Sequence, residues 1–355
     1  MMVPANSEFF STVHGSIKCE TCHEGDPAAS SKDGAHTGMI AYPSLASAEL
    51  CGACHESAEH GGSIHRNLDG YTTMISLRSG GAFDPENPAY RDKFREQCSK
   101  CHTTCGQCHV SRPASVGGGF LSGHTFMKTP SILYNCTACH GSRVGEEYLG
   151  EREGYRADVH WNPGGKSCVY CHDATEMHVS SASYDRRYEV AELPRCEDCH
   201  AGESQSNTYH SMHWTDLQCN VCHSQDYKNC YSCHAGEGIQ EPSSLGFKIG
   251  RNPLPSSLRG YKYVVLRHVP IAPETFSDWG LSLPNYSAEP TWRYASPHNI
   301  RRTTPQTDAS ITGNCYEVCH NSETLFLRAS DLRPYEVDAN QDVIVPDGPV
   351  PWGAK

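Results

Sequence analysis

Residues 98 to 109 read Cys-Ser-Lys-Cys-His-Thr-Thr-Cys-Gly-Gln-Cys-His and contain the pattern Cys-x-x-Cys-His twice in succession. The whole chain contains this pattern nine times, and the copies use all but two of its 20 cysteines. A tenth copy has three residues between its cysteines instead of two. The nine regular copies are Cys19, Cys22 and His23; Cys51, Cys54 and His55; Cys98, Cys101 and His102; Cys105, Cys108 and His109; Cys136, Cys139 and His140; Cys168, Cys171 and His172; Cys196, Cys199 and His200; Cys219, Cys222 and His223; and Cys230, Cys233 and His234. The tenth consists of Cys315, Cys319 and His320.

The pattern places three reactive side chains on one short stretch of backbone. Two nearby thiols can each add to a vinyl group of the same haem, and the histidine that follows is placed to bind the iron. Pairs of Cys-x-x-Cys also form zinc ribbons or disulfides, but neither requires a histidine directly after the second cysteine. Only 21 of the 355 residues are histidines, so ten histidines in ten such positions are not a chance pattern. The sequence therefore predicts ten covalently attached c-type haems.

The tenth motif has two interpretations. A motif that had lost its haem would leave Cys315 and Cys319 as a disulfide or as free thiols. An attachment site with longer spacing would keep its histidine, and His320 is present. No cysteine elsewhere is left without a motif partner. We therefore expect a haem at this position as well.

Each iron also needs a ligand on its second side, and eleven histidines lie outside the motifs. His60 and His65 are close in sequence, and His60, between Glu59 and Gly61, has the more polar neighbours. We therefore predict His65 as the ligand and leave His60 out. The predicted second ligands are His14, His36, His65, His124, His160, His178, His210, His213, His268 and His298.

The number of histidines bears on the kind of chemistry. An iron with imidazole on both sides has no open position for a substrate, and such a haem is suited to one-electron relay. The sequence therefore predicts an electron-transfer protein with no catalytic residues. The ten haems would pass single electrons from one to the next.

The amino-acid composition limits the fold. Only 37% of the residues are hydrophobic, and the chain has 31 glycines and 22 prolines, which favour turns and loops over a large regular core. The chain is also too short to wrap each of ten haems in a domain of its own, so the haems would pack on one another and supply buried apolar surface. We expect mostly coil with short α-helices and few β-strands, wrapped around a chain of closely packed haems.

The spacing of the motifs suggests three consecutive parts of one continuous unit. Residues 1–115 would carry haems one to four, residues 116–240 haems five to nine, and residues 241–355 the tenth haem. The long interval before the tenth motif has two interpretations. It is either a small subdomain with its own core or an extension that covers haems.

Local patterns predict few regular elements. Residues 88–101 and 323–327 have the mixture of polar and apolar residues that is typical of short helices, and residues 261–266 read as a strand.

Charge and hydropathy exclude two classes of partner. The net charge of −12 gives no basic surface for nucleic acid, and no apolar run approaches the length of a membrane span. Residues 1–10 lack the basic start and long apolar stretch of a signal peptide. Because haems are attached to such motifs after export, we expect a processed protein that is extracellular or on the cell surface, with the periplasm as the alternative.

The chain resembles the extracellular multihaem c-type cytochromes of metal-respiring prokaryotes. The resemblance lies in the ten motifs, in the matching number of further histidines, and in three short phrases. These phrases are Cys136-Thr-Ala-Cys-His-Gly-Ser-Arg143, Cys219-Asn-Val-Cys-His-Ser224 and Ser296-Pro-His-Asn-Ile300. The resemblance implies long-range extracellular electron transfer, with head-to-tail haem contacts joining subunits into a filament, or nanowire. Other redox proteins or extracellular electron acceptors would be its partners.

Two alternatives to the filament remain open at this stage. The chain could be a periplasmic or outer-membrane decahaem conduit, or a multihaem oxidoreductase that acts on nitrogen or sulfur oxyanions. In a filament, His14 could bind a haem of the neighbouring subunit, because it lies near the N-terminus. In the simpler interpretation it binds a haem of its own chain.

Overall fold

The computed structural model describes residues 7–55, 63–65, 69–97, 104–151, 153–178, 184, 186–225, 246–308, 310, 318–322 and 324–346. These residues form short helices, irregular segments and one small antiparallel sheet, as the composition predicts. None of the described helices is both long enough and apolar enough to span a membrane.

Short helices account for most of the regular structure. The longest are α4 and α5, with ten residues each. The α-helices are α1 (Cys19–His23), α2 (Lys32–Ala35), α3 (Ser47–Leu50), α4 (Asp69–Arg78), α5 (Pro88–Gln97), α6 (Cys105–His109), α7 (Thr137–His140), α8 (Glu146–Leu149), α9 (Cys168–Cys171), α10 (Ala174–Met177), α11 (Cys196–His200), α12 (Thr208–His213) and α13 (Cys219–His223). Single π-helical turns lie at Ile132–Cys136 and Gly141–Gly145. The remaining helical turns are 3₁₀ segments at Phe9–Ser11, His14–Ser16, Pro43–Ala46, Ala114–Val116, Arg187–Glu189, Ala201–Gln205, Ser277–Trp279, Tyr286–Ala288, Ala329–Asp331, Pro334–Glu336 and Asp338–Asn340.

The predicted helix at residues 88–101 is confirmed as α5 for its described part, and residues 98–101 lie outside the described residues. The helix predicted for residues 323–327 is wrong where the structure describes it. Residues 324 and 325 form a bend, and Phe326 forms a parallel bridge with Ile249. The amide of Ile249 donates a hydrogen bond to the carbonyl of Leu325, and the amide of Leu327 donates one to the carbonyl of Ile249. Pairing with a neighbouring strand has therefore overridden the local preference.

The sheet has three antiparallel strands in sequence order: β1 (Lys248–Arg251), β2 (Tyr263–His268) and β3 (Trp292–Tyr294). The central strand β2 largely matches the strand predicted for residues 261–266. In its register, Leu266 lies opposite Lys248 on one side and opposite Tyr294 on the other. The last residue of β2, His268, is opposite Trp292.

Side chains on both faces of β2 are buried, because successive residues of a strand point to opposite faces. Val264 and Leu266 pack in one apolar cluster, and Val265 packs in another. The first cluster also contains Trp292, Tyr294, Leu327 and Val343, and the second contains Val221, Phe247, Ile249, Ala295, Phe326 and Val345. The apolar core around β2 therefore combines residues of the interval before the tenth motif with Val221 of α13 and with residues that follow that motif, namely Phe326, Leu327, Val343 and Val345.

The chain divides into two compact units. The first comprises residues 1–69, 92–140 and 168–187, and the second comprises residues 70–91, 141–167 and 188–355. Both units combine separate stretches of chain, whereas the three predicted parts were contiguous. The sheet and its two apolar clusters belong to the second unit.

Candidate cofactor-binding sites

Each fully described motif forms one helical turn, which brings its three reactive side chains together. In the second motif the amide of His55 donates to the carbonyl of Cys51 over 2.9 Å, and in the sixth the amide of His172 donates to Cys168 over the same distance. Residues i, i+3 and i+4 of a helical turn are neighbours on one face. The two thiols can therefore reach the edge of a single planar group while the imidazole reaches the metal at its centre.

Local capping helps to form these turns. At α6, the Thr104 amide donates to the Gln107 side chain over 2.7 Å, in a capping box that satisfies backbone groups at the start of the helix. In α12, which carries two of the predicted second ligands, Asn207 accepts a hydrogen bond from the His210 amide. These short helices thus begin at residues whose side chains satisfy free backbone donors.

Among the residues that the structure describes, seven motif histidines lie beside a histidine from outside the motifs. The ring centroids lie between 5.8 and 6.4 Å apart in every pair. In the first unit the pairs are His55 with His14, His23 with His124, His140 with His65, and His109 with His178. In the second unit they are His200 with His160, His223 with His210, and His320 with His213.

The distance between the ring centroids of each pair indicates whether a metal ion could be bound between the two imidazoles. Two imidazoles on opposite sides of one metal ion, each with its nitrogen about 2.0 Å from the metal, have ring centroids about 6 Å apart. Two imidazoles at a tetrahedral zinc ion would have centroids about 5 Å apart. The observed separations fit a metal held between two opposed rings, the arrangement that an iron in a planar macrocycle requires.

Backbone carbonyls orient several of these rings. The Nδ1 atom of His23 donates to the carbonyl of Ile40 over 2.8 Å, and that of His109 donates to the carbonyl of Met127 over 2.6 Å. The Nδ1 atom of His223 lies 3.2 Å from a backbone carbonyl, that of Arg301. A hydrogen bond at Nδ1 fixes the tautomer and leaves the lone pair of Nε2 available for a metal.

Two further rings donate to buried carboxylates, which the sequence analysis did not single out. The Nδ1 atom of His172 lies 2.8 Å from Oε2 of Glu176, and that of His160 lies 2.8 Å from Oδ1 of Asp158. Glu176 follows its histidine by four residues and Asp158 precedes its histidine by two. The second spacing is typical of Asx turns, so that signal was present in the sequence. His172 precedes α10, whose N-cap Asp173 is extended, so its contact with Glu176 does not lie within one continuous helix.

Burial and hydrogen bonding shift the pKa values of these imidazoles in opposite directions. The Asp158 hydrogen bond raises the pKa of His160 despite partial burial. Burial alone would lower the pKa of His172, but the contact with Glu176 outweighs it and the net shift is upward. Burial lowers the pKa of His223 and keeps this ring neutral near pH 7. A neutral imidazole is the form that binds a metal.

Cysteines of consecutive motifs also come together within each unit. A hydrogen bond between the thiols of Cys136 and Cys168 lowers the pKa of Cys168 to about 7 and raises that of Cys136. The same kind of contact, between Cys196 and Cys219, lowers the pKa of Cys196 and raises that of Cys219. Burial raises the pKa of Cys108 to about 11. Planar groups attached at these neighbouring sulfurs would therefore be in contact with each other.

The structure places His14 beside His55 of its own chain, with the two rings within 15° of parallel. The ring of Phe126 stacks on His14 at a centroid distance of 4.1 Å. This position agrees with the simpler of the two interpretations of His14. A role in a neighbouring subunit would require His14 to leave both partners.

The remaining predicted second ligands have different surroundings. His36 follows α2 as its C-cap and is partly buried. His298 donates from its amide to Oε2 of Glu147, and its ring lies near that of Tyr148. His268 is 1% exposed in the core beside β3, and its Nε2 atom lies 2.6 Å from Oε1 of Glu336. Its Nε2 is thus engaged by a carboxylate, which argues against the predicted role of His268 as an iron ligand.

Several predicted residues lie outside the described part of the chain. They are His60, Cys98, Cys101, His102, Cys230, Cys233, His234 and Cys315. Of the tenth motif, Cys319 and His320 are described, and His320 is paired with His213 like the motif histidines of the regular copies.

No protein-family model, curated protein or solved structure matches this chain. The assignment of a function therefore depends on the motifs and on the geometry of the described residues.

Proposed function

We propose that this protein transfers electrons over long distances by one-electron hopping along ten covalently attached c-type haems. The observation that carries the proposal is the set of seven opposed histidine pairs, each of which combines a motif histidine with one from elsewhere in the chain. When bound, each haem would supply an iron that accepts and returns one electron.

The chain's own residues would divide the work at each site. The two cysteines of a motif would hold the ring through thioether bonds, and the motif histidine would bind the iron from one side. The opposed histidine would bind from the other side and close the coordination sphere. Because both sides are then occupied by imidazole, no position at these seven sites is left for a substrate, which supports relay rather than catalysis.

The haems would also complete the interior. Only 37% of the residues are hydrophobic, and the two apolar clusters around β2 lie in the second unit. Elsewhere the motif turns are joined by short helices and loops with partly exposed side chains. Large macrocycles attached at neighbouring cysteines would bury apolar surface that the side chains do not supply.

Haem attachment is the first thing to test. The protein is produced by export in a host that matures c-type cytochromes, and intact mass and the pyridine haemochrome absorbance are used to count the covalent haems. We expect ten, and one fewer when Cys136 and Cys139 are both replaced by alanine. An intact chain without covalent haem, produced where a known cytochrome c is matured normally, would refute the proposal.

Assembly into an extracellular filament is part of the proposal on the resemblance alone. Electron microscopy of purified protein at several concentrations would detect it, and discrete particles throughout would remove the filament. Co-purification with an outer-membrane barrel protein would instead favour the conduit. A high-spin ferric signal in the native protein, together with reduction of a nitrogen or sulfur oxyanion, would favour the oxidoreductase.

A further inference from the structure

We infer that Glu176 and Asp158 are positioning residues that lower the reduction potentials of two haems, the one bound by His172 and the one bound between His160 and His200. This inference rests on the proposed function, because it presumes that these histidines bind haem iron. Beyond the proposed function, these two haems would have lower reduction potentials than haems whose histidines donate to neutral groups, and Glu176 and Asp158 would be the cause.

Glu176 is held against His172 by the local fold. Asp173 caps α10 by accepting hydrogen bonds from the amides of Thr175 and Glu176, which directs the helix back toward the sixth motif. Both carboxylate oxygens of Glu176 then lie near Nδ1 of His172, at 3.0 and 2.8 Å. The Glu176 residue is only 5% exposed, so water screens this contact poorly.

Asp158 is held even more firmly. It is 2% exposed, and its Oδ1 atom accepts hydrogen bonds from both the amide and the Nδ1 atom of His160, each over 2.8 Å. Its other oxygen, Oδ2, accepts one from the amide of Ile300 over 2.8 Å. The carboxylate therefore has a fixed orientation and engages Nδ1 of His160, whose ring centroid lies 6.1 Å from that of His200.

The other described Nδ1 acceptors provide a comparison inside the same molecule. His23, His109 and His223 have backbone carbonyls at Nδ1, which carry no net charge. His210 has the carbonyl of Glu203 at 2.9 Å and a serine hydroxyl at 2.7 Å, which are neutral as well. Carboxylate acceptors thus distinguish the sites of His172 and His160 from these four.

The charge of the acceptor matters because reduction would add one negative charge at the iron. A carboxylate bonded to Nδ1 increases the electron donation from the imidazole to the metal, which stabilises the ferric more than the ferrous state. A buried negative charge nearby acts in the same direction. Both effects make the haem harder to reduce than one whose imidazole donates to a neutral carbonyl.

A redox titration of the holoprotein tests the role of Glu176. In Glu176→Gln the side chain keeps its size and an acceptor oxygen but loses its charge. At the potential where the haem of His172 is half reduced in the wild type, we expect its ratio of reduced to oxidised form to rise about tenfold, equivalent to about 59 mV for one electron. A smaller change is expected for the haem of His65, because the charge of Glu176 also acts on this ring.

The matched control is Asp173→Asn. It removes one negative charge from the same short helix, and asparagine is as good an N-cap as aspartate. Asp173 accepts from backbone amides rather than from an imidazole, so the titration should change little. An equal shift in both variants would overturn the inference, because it would show that charge near the haem is sufficient without the hydrogen bond.

Asp158→Asn provides the second measurement, with Asp216→Asn as its control, since Asp216 is an exposed carboxylate paired with Lys262. Because Asp158 also accepts hydrogen bonds from two backbone amides, Glu176→Gln is the decisive variant if Asp158→Asn does not fold.

A failure of the proposed function can be distinguished from a failure of this inference. A chain without covalent haem refutes the proposed function, whereas a full complement of low-spin haems with an unchanged titration in Glu176→Gln refutes the inference alone. Conversion of a haem to high spin in Glu176→Gln would also overturn it, by showing that Glu176 is needed for ligation itself.

Discussion

Replacement of His268 by leucine separates a structural histidine from an iron ligand. The sequence predicts His268 as a ligand, but its Nε2 atom lies 2.6 Å from Glu336 and its ring packs 5.4 Å from that of Trp292. We therefore expect His268→Leu to keep all its covalent haems and its low-spin ferric spectrum. What it should lose is stability around β2, because a buried hydrogen bond to a carboxylate is removed.

The size of the loss follows from the remaining partners of Glu336. A hydrogen bond to a charged group contributes about 1.5 to 3 kcal/mol, and a buried charge left without any partner costs about 3 to 5 kcal/mol. After the substitution Glu336 still accepts hydrogen bonds from the Arg333 amide and from Thr291, so the second figure is an upper limit. We expect a loss of about 2 to 3 kcal/mol, which is roughly a 30- to 150-fold faster hydrogen exchange of the β2 amides.

Peptide-resolved hydrogen–deuterium exchange measures this change, with the visible and electron paramagnetic resonance spectra recorded on the same sample. His124→Leu serves as the matched control, because His124 faces a motif histidine, His23, at a centroid distance of 6.0 Å. The control should convert one haem to high spin and leave exchange in β2 unchanged. A high-spin haem in His268→Leu, with slow exchange retained in β2, would refute the structural role.

The same pair predicts a dependence on pH. Burial raises the pKa of Glu336, but its hydrogen bonds, with His268 first among them, outweigh burial and lower it. A carboxylate whose pKa is lowered by folding stabilises the protein above its unfolded-state pKa, and this contribution is lost as the pH falls through the folded-state pKa. The difference in exchange between the wild type and His268→Leu should therefore shrink in acid. A difference that stayed constant down to the folded-state pKa would contradict the ionic character of the contact.

Two more predictions come from ring orientation and from the apolar core. His109 and His178 are within 15° of parallel, whereas His65 and His140 are at 81°, and the angle between axial imidazole planes controls the anisotropy of low-spin ferric iron. The electron paramagnetic resonance spectrum should therefore contain both rhombic and strongly anisotropic signals, and a single uniform class would contradict these orientations. Leu266→Ala, at a fully buried position of β2, should cost about 2 to 5 kcal/mol in local stability by hydrogen exchange without changing the number of haems. Haem loss in this variant would show that the core around β2 is needed for attachment.

The sequence predicts the motif turns because all their information is local. The positions i, i+3 and i+4 of a helical turn are neighbours whatever the rest of the chain does. The opposed pairs could not be predicted in this way. His23 and His124 come together only because the fold of the first unit brings distant segments of the chain into contact. Neither composition nor local spacing predicts such a long-range contact.

In the second unit, local sequence predicted one strand but did not predict which segment would pair with its neighbours. Residues 261–266 read as a strand because aromatic and β-branched residues, at Tyr261, Tyr263, Val264 and Val265, make up four of the six, and β2 overlaps them from Tyr263 to Leu266. Residues 323–327 read as a helix, yet Phe326 pairs with Ile249 in a parallel bridge. The contact of His268 with Glu336 was unpredictable for a related reason, since a count of histidines does not distinguish a ring that faces a motif histidine from one that binds a carboxylate.

The acceptors at Nδ1 differ in how the chain encodes them, and this difference has a consequence for the proposed electron transfer. Carbonyl acceptors such as those of Ile40 and Met127 belong to the backbone, so substitution at these positions leaves the acceptor group in place. The carboxylates of Glu176 and Asp158 are side chains, and a single substitution exchanges charge for neutrality with little change of shape. If the proposed haems are present, the sites of His172 and His160 are places where a reduction potential could be changed by one substitution at a side chain. In a chain of haems with similar histidine ligands, such side chains would influence where an electron rests, because the ligands themselves would not distinguish one site from the next.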